Sequence, residues 1–452
     1  MDQIVNNLRN TYQSQITKRY EFRLRSLLTL KKGLKKYEEE FIEALSADLG
    51  KSAFESYETE IGILYKEIDE ACMNLKKWMK PTRVHTPLML LPASSTIYHD
   101  PLGVVLIMSP WNYPLQLSIA PLIPCIAAGN CALIKPSSYS LHTSALIKKM
   151  IDEIFDRNYI ACVEGGRAVN EAVLKLNFDH IFFTGSVHVG KVVMKAASEH
   201  LTPVTLELGG KSPCIVDQHV HMHLAAKRII WGKCLNAGQT CVCPDTLYVH
   251  ESIKEDFIQC LLNAMKKMYP QGTLHSQEFG KIINDHHFSR LSAMLSDGHI
   301  ITGGHVDAIN NKIECTIMDQ IKPDSQLLTD EIFGPILPII SWSDEEDLIT
   351  KLEVHEHPLA CYIFSTSTSF QKRILNRFNF GGGCINTTIL HLSNSHLGFG
   401  GIKQSGMGQY HGYHGFKRLS HEKSILAKSR FEIPVQYPPY RNKMKWLKLF
   451  MK

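Results

Sequence analysis

The sequence lacks three features that mark specialised classes of protein. It has 12 cysteines but no C-x-x-C pair, the spacing that zinc sites and dithiol redox sites use. Its most apolar stretch, from about Ser118 to Ile134, is interrupted by Pro121, Pro124 and Gly129 and is not expected to cross a bilayer. The first residues, MDQIVNNLRN, lack the apolar core of a secretory signal. We therefore expect a cytoplasmic protein with reduced thiols.

An excess of charge of one sign is also missing. The chain has 49 basic and 44 acidic residues, a net charge of +5, which is too balanced for a protein whose main partner is a nucleic acid. Its 452 residues are 44% hydrophobic and 21% charged, as in a globular protein with two or three folding units. A chain of this size buries roughly three quarters of its unfolded surface, so the core does not need disulfides.

The order of apolar patterns along the chain predicts an α/β fold. Helical spacing dominates from Asp2 to about Lys80 and ends at Pro81. Strands then alternate with helices, and a second alternating region runs from Ser212 to about Asn386. Such alternation predicts βαβ units with a largely parallel sheet. The predicted strands of the first region are Val104–Met108, Cys131–Ile134 and Ile181–Thr184, and its predicted helices are 121–128, 143–155 and 192–197.

The segment FTGSVHVGK, from Phe183 to Lys191, follows a short apolar strand and opens a helix. Backbone N–H groups and the helix dipole at such a junction can bind a phosphate. Its glycines match part of a P-loop, but Val192 stands where a nucleoside triphosphatase has a magnesium-binding Ser or Thr. The G-x-G-x-x-G pattern of dinucleotide sites occurs nowhere in the chain. By itself the segment also fits an ordinary strand-to-helix turn, and a P-loop-type nucleotide hydrolase stays open.

Two further segments supply a carboxylate and a thiol. LELGGK places Glu207 beside a glycine pair, and GQTC places Cys241 34 residues later (241 − 207). A thiolate that attacks a carbonyl, with a carboxylate that activates water, is the minimum for making and hydrolysing a thioester. Because the thiol must ionise, we expect Cys241 to have a lowered pKa. Each residue alone also fits a structural role, which leaves a catalytically silent binding protein as a second alternative.

Seven segments, taken together and in order, resemble the aldehyde dehydrogenase superfamily. They are MSPWNYP (108–114), GNCALIKPS (129–137), FTGS (183–186), ELGG (207–210), GQTC (238–241), EIFGP (331–335) and FGGIKQSG (399–406). The resemblance covers essentially the whole chain. Segments 407–412 and 420–424 are similar to the class 3 branch, which acts on medium-chain, long-chain and aromatic aldehydes.

The resemblance implies a particular domain organisation. A Rossmann-like dinucleotide-binding domain would be formed by residues 1–80 and 101–208, and a second α/β domain, the catalytic one, by residues 209–407. Residues 81–100 and 408–452 would form a small β and C-terminal oligomerisation element. A homodimer is the expected assembly.

The resemblance also implies a reaction, the oxidation of an aldehyde to the carboxylic acid with NAD or NADP, through a cysteine thiohemiacetal and a thioester. Cys241 would be the nucleophile, Asn112 and the Cys241 backbone N–H would hold the oxyanion, and Glu207 would activate water. No metal is implied. The residues matched to cofactor contacts are Trp111, Lys135, Ser138, Gly185, Ser186, Gly190, Glu331 and Phe333.

Three positions depart from the family pattern, and one of them is Gly398, where Pro often precedes Phe-Gly-Gly. Many members have Glu at the position of Ser138, where a carboxylate accepts from the adenosine ribose and repels a 2′-phosphate. Its absence removes that repulsion, so we expect both NAD and NADP to be used. Cys243, two residues after the nucleophile, is also not the common residue.

Two further patterns could indicate a metal site and a membrane contact, but for each of them we favour a structural interpretation. His219, His221 and His223 alternate in the sequence, so on an extended strand their side chains would share one face and could bind a metal. We favour a solvated loop that leads into a helix beginning near Leu224. The tail from residue 441 to 452 has five basic residues and no acidic ones among its apolar side chains. We expect it to pack on the protein or on a partner subunit, and contact with an anionic membrane surface is the less favoured alternative.

Overall fold

The helices are concentrated where the apolar spacing predicts them, and the first five lie within the first 78 residues. The computed structural model describes residues 1–354, 357–431 and 436–451. The described helices, α1 to α18, are Asp2–Gln13, Tyr20–Lys36, Glu38–Leu49, Ala53–Ser56, Gly62–Trp78, Pro114–Ile119, Leu122–Ala128, Leu141–Ile154, Arg167–Leu174, Val187–Ser198, Met222–Cys234, Lys254–Met268, Asp285–Met294, Gln326–Thr329, Glu345–Glu353, Thr368–Arg377, Gly412–Arg418 and Met444–Phe450.

The strands form three larger sheets and one two-stranded ribbon. The described strands, β1 to β18, are Thr82–Val84, Ala93–Pro101, Val104–Met108, Cys131–Lys135, Ile160–Cys162, His180–Thr184, Val204–Glu207, Pro213–Val216, Thr246–His250, His299–Thr302, Val306–Asp307, Lys312–Ile313, Thr316–Asp319, Ile336–Trp342, Ala360–Phe364, Gly382–Ile385, Gly406–Met407 and Ser420–Lys428. The predicted α/β class with largely parallel sheets is confirmed.

The first sheet has the strand order β17-β7-β6-β3-β4-β5, and all its strands except β17 are parallel. Every residue of β3, β4 and β6 is buried, which explains why these strands read as continuous apolar runs. The chain adds β4 and β5 on one side of β3 and then β6 and β7 on the other. Ligands of such sheets bind where the order reverses, at the carboxyl ends of the strands. That point lies between β3 and β6.

The second sheet has the order β10-β13-β14-β9-β8-β15-β16, with only β10 antiparallel. Between helix α11 and strand β9 lies the irregular segment that carries Cys241. Apolar side chains from both sheets belong to one continuous core cluster, for example Leu106 of β3 and Leu247 of β9. The two sheets therefore share a core.

The third sheet, β1-β2-β18, is antiparallel and lies away from that core. Strand β18 pairs with β2 from Ser420 opposite Pro101 to Lys428 opposite Ala93. All residues of β18 after Ser420 are exposed. Such a long, exposed outer strand offers unpaired backbone groups to another chain.

The C-terminal tail lies in the open. In its described part, Met444, Trp446 and Leu449 are each more than half exposed. These side chains are therefore not covered by their own chain, and packing of the tail on a partner subunit stays a prediction. No helix of the described residues is long and apolar enough to cross a membrane.

The segment that carries His219 and His221 is a loop that leads into α11, as the sequence analysis favours. His219 and His221 precede α11, which begins at Met222, and His223 lies within its first turn, where its Nδ1 is 3.3 Å from the Cys260 Sγ. Within the described ranges, no group of three or more His, Cys, Asp or Glu side chains is placed to hold a metal ion.

Candidate active site

Two cavities meet at Cys241. The first, of about 320 Å³, lies at the carboxyl ends of β3, β6 and β7. The second, of about 100 Å³, has mainly apolar walls and opens into a surface groove with which it shares Glu58 and Ile63. Besides Cys241, Leu117 is the residue that lines both. The predicted site residues that line the first cavity are Trp111, Asn112, Gly185, Ser186, Glu207, Cys241, Glu331 and Phe333.

The Cys241 thiol has the opposite electrostatic environment from the expected one. Burial raises its pKa, and the nearby carboxylates Glu331 and Glu207 raise it further. No cation offsets these effects among the causes that act on this thiol. The expectation of a lowered pKa is therefore wrong for this state of the protein, because the sequence motif does not reveal how deeply the loop is buried.

Asn112 lies in the irregular segment between strand β3 and helix α6 and is 2% exposed. Its side-chain Nδ2 donates to the backbone oxygen of Gln239 at 3.0 Å, two residues before Cys241. An amide nitrogen carries two hydrogens, so one remains for a second acceptor. The side chain is thus tied to the nucleophile loop and still has a donor to offer.

Glu207 is the last residue of β7 and is 2% exposed. Neither of its carboxylate oxygens has a hydrogen-bond partner among the described residues. Burial raises its pKa well above the ordinary value, and the positive charge of Arg418 opposes that shift only in part. A buried, unpaired carboxyl group whose pKa is moved toward neutrality is suited to proton transfer.

Glu331 is the second buried carboxylate of this cavity. Burial, with a contribution from Asp245, raises its pKa to about 8, and its Oε1 has no partner among the described residues. A Cβ at Gly209 would lie 2.0 Å from the Glu331 Oε2, so only glycine allows this close approach. Phe333 contacts Trp111 edge to face, at 5.3 Å between ring centroids, and the two rings form one wall.

The strand-to-helix turn after β6 is not a P-loop. Ser186 caps α10 by accepting from the Val189 backbone N–H at 3.4 Å, so the helix begins at Val187, earlier than predicted. Gly190 lies inside this helix, and a Cβ there would be 2.7 Å from Leu208. The structure therefore does not bring Gly190 to the cavity, although Gly185 and Ser186 do line it. Without a loop around a phosphate, the nucleotide-hydrolase alternative loses its structural basis.

Lys135 is the last residue of β4 and Ser138 follows three residues later, and neither lines the first cavity. Lys135 is 3% exposed, has no hydrogen-bond or ion-pair partner among the described residues, and has a pKa lowered by burial. Ser138 is half-buried, and its Oγ is 4.0 Å from the point where Gly166 would carry a Cβ. A buried ammonium group without a partner is unusual and fits a polar ligand.

The sequence profile of the aldehyde dehydrogenase family matches residues 1–425. The chain belongs to the aldehyde dehydrogenase family. It is 46% identical over 444 residues to the 4,4′-diaponeurosporen-aldehyde dehydrogenase of Staphylococcus aureus, which covers 98% of this chain and 97% of that one. It is 37% identical over 455 residues to mouse aldehyde dehydrogenase family 3 member A2, covering 100% and 94% of the two chains.

A solved structure agrees along the whole length. The substrate-bound S. aureus aldehyde dehydrogenase superposes with a TM-score of 0.97 at 45% identity and covers 100% of this chain and 99% of that one. The predicted family, its class 3-like branch and an aldehyde-oxidising enzyme that uses NAD or NADP are confirmed at this level.

Cys243 of this aldehyde dehydrogenase is a buried thiol. Its Sγ donates to the Pro244 backbone oxygen at 3.5 Å, and burial raises its pKa to about 11 while Lys233 opposes the shift. It lines neither cavity. The departure from the common residue is therefore a buried structural thiol in this structure.

Sequence reasoning missed several residues of the enzyme's site. His287 and Arg290, on α13, line the first cavity, and burial lowers the pKa of His287 to about 4. Arg290 donates to the Ile332 backbone oxygen at 2.6 Å, next to Glu331. No local signal identifies them, because α13 reads as an ordinary amphipathic helix and only the tertiary fold turns these side chains to the cavity.

Proposed function

We propose that Cys241 is the nucleophile with which this enzyme oxidises aldehydes. The observation that carries the proposal is that this thiol lies where the two cavities meet, so an aldehyde from one side and a cofactor from the other reach it together. After the thiol has lost its proton to water, the Cys241 sulfur forms a bond to the carbonyl carbon, and the C=O electron pair moves to the carbonyl oxygen. The second Asn112 N–H and the Cys241 backbone N–H hold that oxyanion.

The remaining steps use the two carboxylates differently. The C–H bond of the thiohemiacetal breaks, and NAD or NADP, when bound, supplies a nicotinamide ring that accepts the hydride. Glu207 takes a proton from water, whose oxygen attacks the thioester carbon. The C–S bond then breaks, the carboxylic acid leaves, and the Cys241 sulfur is regenerated. We assign Glu331 to the nicotinamide ribose, which offers hydroxyl donors to its unpaired Oε1.

The residues present fit a dinucleotide. The unpaired Oε1 of Glu331 and the Lys135 ammonium, which has no protein partner among the described residues, offer an acceptor and a donor. We propose that Lys135 and Ser138 contact the adenosine ribose, that Gly185 and Ser186 approach the phosphates, and that Trp111 and Phe333 form the wall beside the nicotinamide. Gly190 supports this site from within α10 by allowing the helix to pack against Leu208. Both NAD and NADP are accepted.

The substrates that we propose are medium- or long-chain aliphatic or aromatic aldehydes. The second cavity is lined by apolar and aromatic side chains such as Ile63, Trp231 and Phe399, and it continues into the surface groove. The S. aureus relative is named for an aldehyde of the diaponeurosporene type, which is consistent with a long apolar substrate.

A panel of aldehydes assayed with NAD and NADP tests the activity. Each methylene buried in the second cavity contributes about 0.8 kcal/mol, so kcat/KM is expected to rise by up to about fourfold per methylene along a series of linear aldehydes. The rise should stop when the chain reaches the groove. A kcat/KM that is flat or falls from the shortest aldehyde onward would contradict the substrate proposal.

We also propose a homodimer in the cytoplasm, with residues 1–80 and 101–208 as the cofactor domain, 209–407 as the catalytic domain, and 81–100 and 408–452 as the segments that join two subunits. The exposed strand β18 and the exposed apolar side chains of the tail support this assembly, since a partner would cover them. All 12 cysteines are free, which fits a reducing compartment. Sedimentation equilibrium should give about twice the monomer mass, and a monomer at micromolar concentration would contradict the dimer.

A further inference from the structure

A fully buried ion pair lies directly against the segment that carries Asn112. The Lys51 Nζ is 2.5 Å from the Glu60 Oε1, and both side chains are 0% exposed. Removing two charges from water costs free energy that their attraction repays only if every remaining polar contact is satisfied. A buried pair is therefore a weak device for stability alone, and its other contacts indicate what it positions.

Lys51 contacts the segment that carries Asn112 at two consecutive residues, Asn112 and Tyr113. The Lys51 Nζ donates to the Asn112 backbone oxygen at 3.2 Å and lies 3.9 Å from the ring centroid of Tyr113. The Tyr113 hydroxyl is in turn 2.7 Å from the Thr240 Oγ1, beside the nucleophile. The ammonium group thus holds the Asn112 peptide and the tyrosine that lines the second cavity.

The glutamate fixes the other end of the same segment. The Glu60 Oε2 accepts from the backbone N–H groups of Leu115 at 2.9 Å and Gln116 at 3.2 Å, in the first turn of α6. Glu60 itself lies in a π-helical turn, Tyr57–Ile61, a local form that is frequent at functional sites. The pair therefore holds residues 112–116 through three different peptide groups.

A second contact joins this segment to the nucleophile loop. The Asn236 Nδ2 donates to the Asn112 oxygen at 2.7 Å and to the Gln239 oxygen at 3.1 Å. Asn236 and the following Ala237 both have positive φ values of 50°, a conformation that costs an alanine about 1 to 3 kcal/mol. The Asn112 oxygen thus accepts from two side chains that are remote in the sequence, Lys51 and Asn236.

We propose that the Lys51–Glu60 pair is a positioning device for the oxyanion site. It fixes the Asn112 backbone, while the bond from the Asn112 Nδ2 to the Gln239 oxygen fixes the side chain, so that the remaining N–H points to the developing oxyanion. Lys51 and Glu60 do not touch the reacting atoms, and they act through Asn112. The inference rests on the proposed role of Asn112 in the reaction.

The test is a double-mutant cycle between Lys51→Met and Asn112→Ala, with kcat, the aldehyde KM and the first-turnover rate of cofactor reduction measured for each. Loss of one oxyanion donor lowers kcat by about 10² to 10³. Lys51→Met should lower kcat by about tenfold or more but by less than Asn112→Ala, with KM changed by less than about threefold. In the Asn112→Ala background the same change should lower kcat by less than about threefold, since the group that it positions is gone.

Two controls keep the result specific. The neutral variant Lys51→Met/Glu60→Gln removes the buried unpaired charge, so it should recover folding stability without recovering kcat, and it tests the proposal even if Lys51→Met does not fold. Lys211→Met breaks the other buried lysine pair, with Asp245, which does not contact the Asn112 segment. The fold loss of kcat from Lys211→Met should be the same in the unmodified enzyme and in the Asn112→Ala background.

A reaction of Cys241 that forms no oxyanion serves as a third control. The rate of Cys241 alkylation by iodoacetamide, followed by the mass of the Cys241 peptide, should change by less than about twofold in Lys51→Met. Equal losses of kcat from Lys51→Met in both backgrounds, or full recovery of kcat in the neutral variant, would overturn the positioning role. If Asn112→Ala leaves kcat unchanged, the proposed role of Asn112 fails and the inference fails with it.

Discussion

Glu60, which holds the segment that carries Asn112, and Glu207, which lines the first cavity, are both buried carboxylates, but their surroundings are opposite. Glu60 is 0% exposed and binds the Lys51 ammonium and two backbone N–H groups. Glu207 is 2% exposed and has no partner for either oxygen among the described residues, and burial raises its pKa. The first carboxylate holds structure in place, whereas the second is kept available for a proton or a water molecule.

The same contrast holds for two buried lysines. The Lys51 ammonium donates hydrogen bonds to the Glu60 carboxylate and to the Asn112 backbone oxygen. Lys135 has no partner in the described part of the chain, and burial lowers its pKa. In both pairs, the residue that carries a proposed role toward a ligand is the one that the protein leaves unsatisfied.

The largest expected effect separates the nucleophile from the base. Cys241→Ala should abolish oxidation of every aldehyde, including the first turnover, because no thiohemiacetal forms. Glu207→Gln should keep a burst of reduced cofactor equal to about one per active site and then stall at the thioester, with steady-state turnover lowered by about 10² to 10⁴. Stopped-flow absorbance of the reduced cofactor measures both.

The matched control compares the two carboxylates by stability. Glu60→Gln should lower the free energy of unfolding by about 3 to 5 kcal/mol, because Lys51 remains buried without its partner. Glu207→Gln should leave it unchanged or raise it, since a neutral amide replaces a carboxylate that burial disfavours. Equal destabilisation of both variants in urea unfolding would break the comparison.

An intermediate effect is expected on the pH dependence of stability. Burial raises the folded-state pKa of Glu331 to about 8 from a reference value of 4.5. Its contribution is fully present below pH 4.5 and is lost as the pH rises toward about 8, because the unfolded chain ionises first. Glu331→Gln should therefore flatten the fall in melting temperature between these pH values. An unchanged slope would show that this carboxyl group is not desolvated.

The smallest expected effect concerns cofactor choice. Ser138→Glu should lower kcat/KM for NADP more than for NAD, because a carboxylate would repel the 2′-phosphate while still accepting from the ribose hydroxyls. A hydrogen bond to a charged group contributes about 1.5 to 3 kcal/mol, so the ratio should change by about tenfold to a hundredfold. Glu171→Gln, a change on the exposed face of α9, serves as the control. No NADP activity in the unmodified enzyme, or an unchanged ratio, would place Ser138 away from the ribose.

Much of the site could be predicted because its residues lie at the ends of strands. Asn112 follows β3, Lys135 ends β4, Gly185 follows β6 and Glu207 ends β7. Parallel strands bring their carboxyl ends to one edge, so motifs that are far apart in the sequence become neighbours there. Trp111, Glu331 and Phe333 line the same cavity, although Gly190 does not.

The electrostatic environment could not be predicted in the same way. The Cys241 motif indicates a nucleophile, but the pKa of its thiol depends on burial and on Glu331, which is 90 residues away along the chain (331 − 241). Lys51, Glu60 and Asn236 belong to no recognisable motif, and each reads locally as a surface residue of a helix or loop. Their contacts arise only when the helices pack against the sheet.

The α/β class and the family could be predicted from the chain alone, and the reacting side chains could be proposed from it, because periodicity and short motifs are local properties of the sequence. Which buried charges have partners, which glycine lines the cavity and which thiol lines it became visible only in the folded protein. Those properties depend on desolvation and on distances between residues that are remote in the sequence. Both the desolvation and the short distances arise only when the chain has folded and buried these side chains.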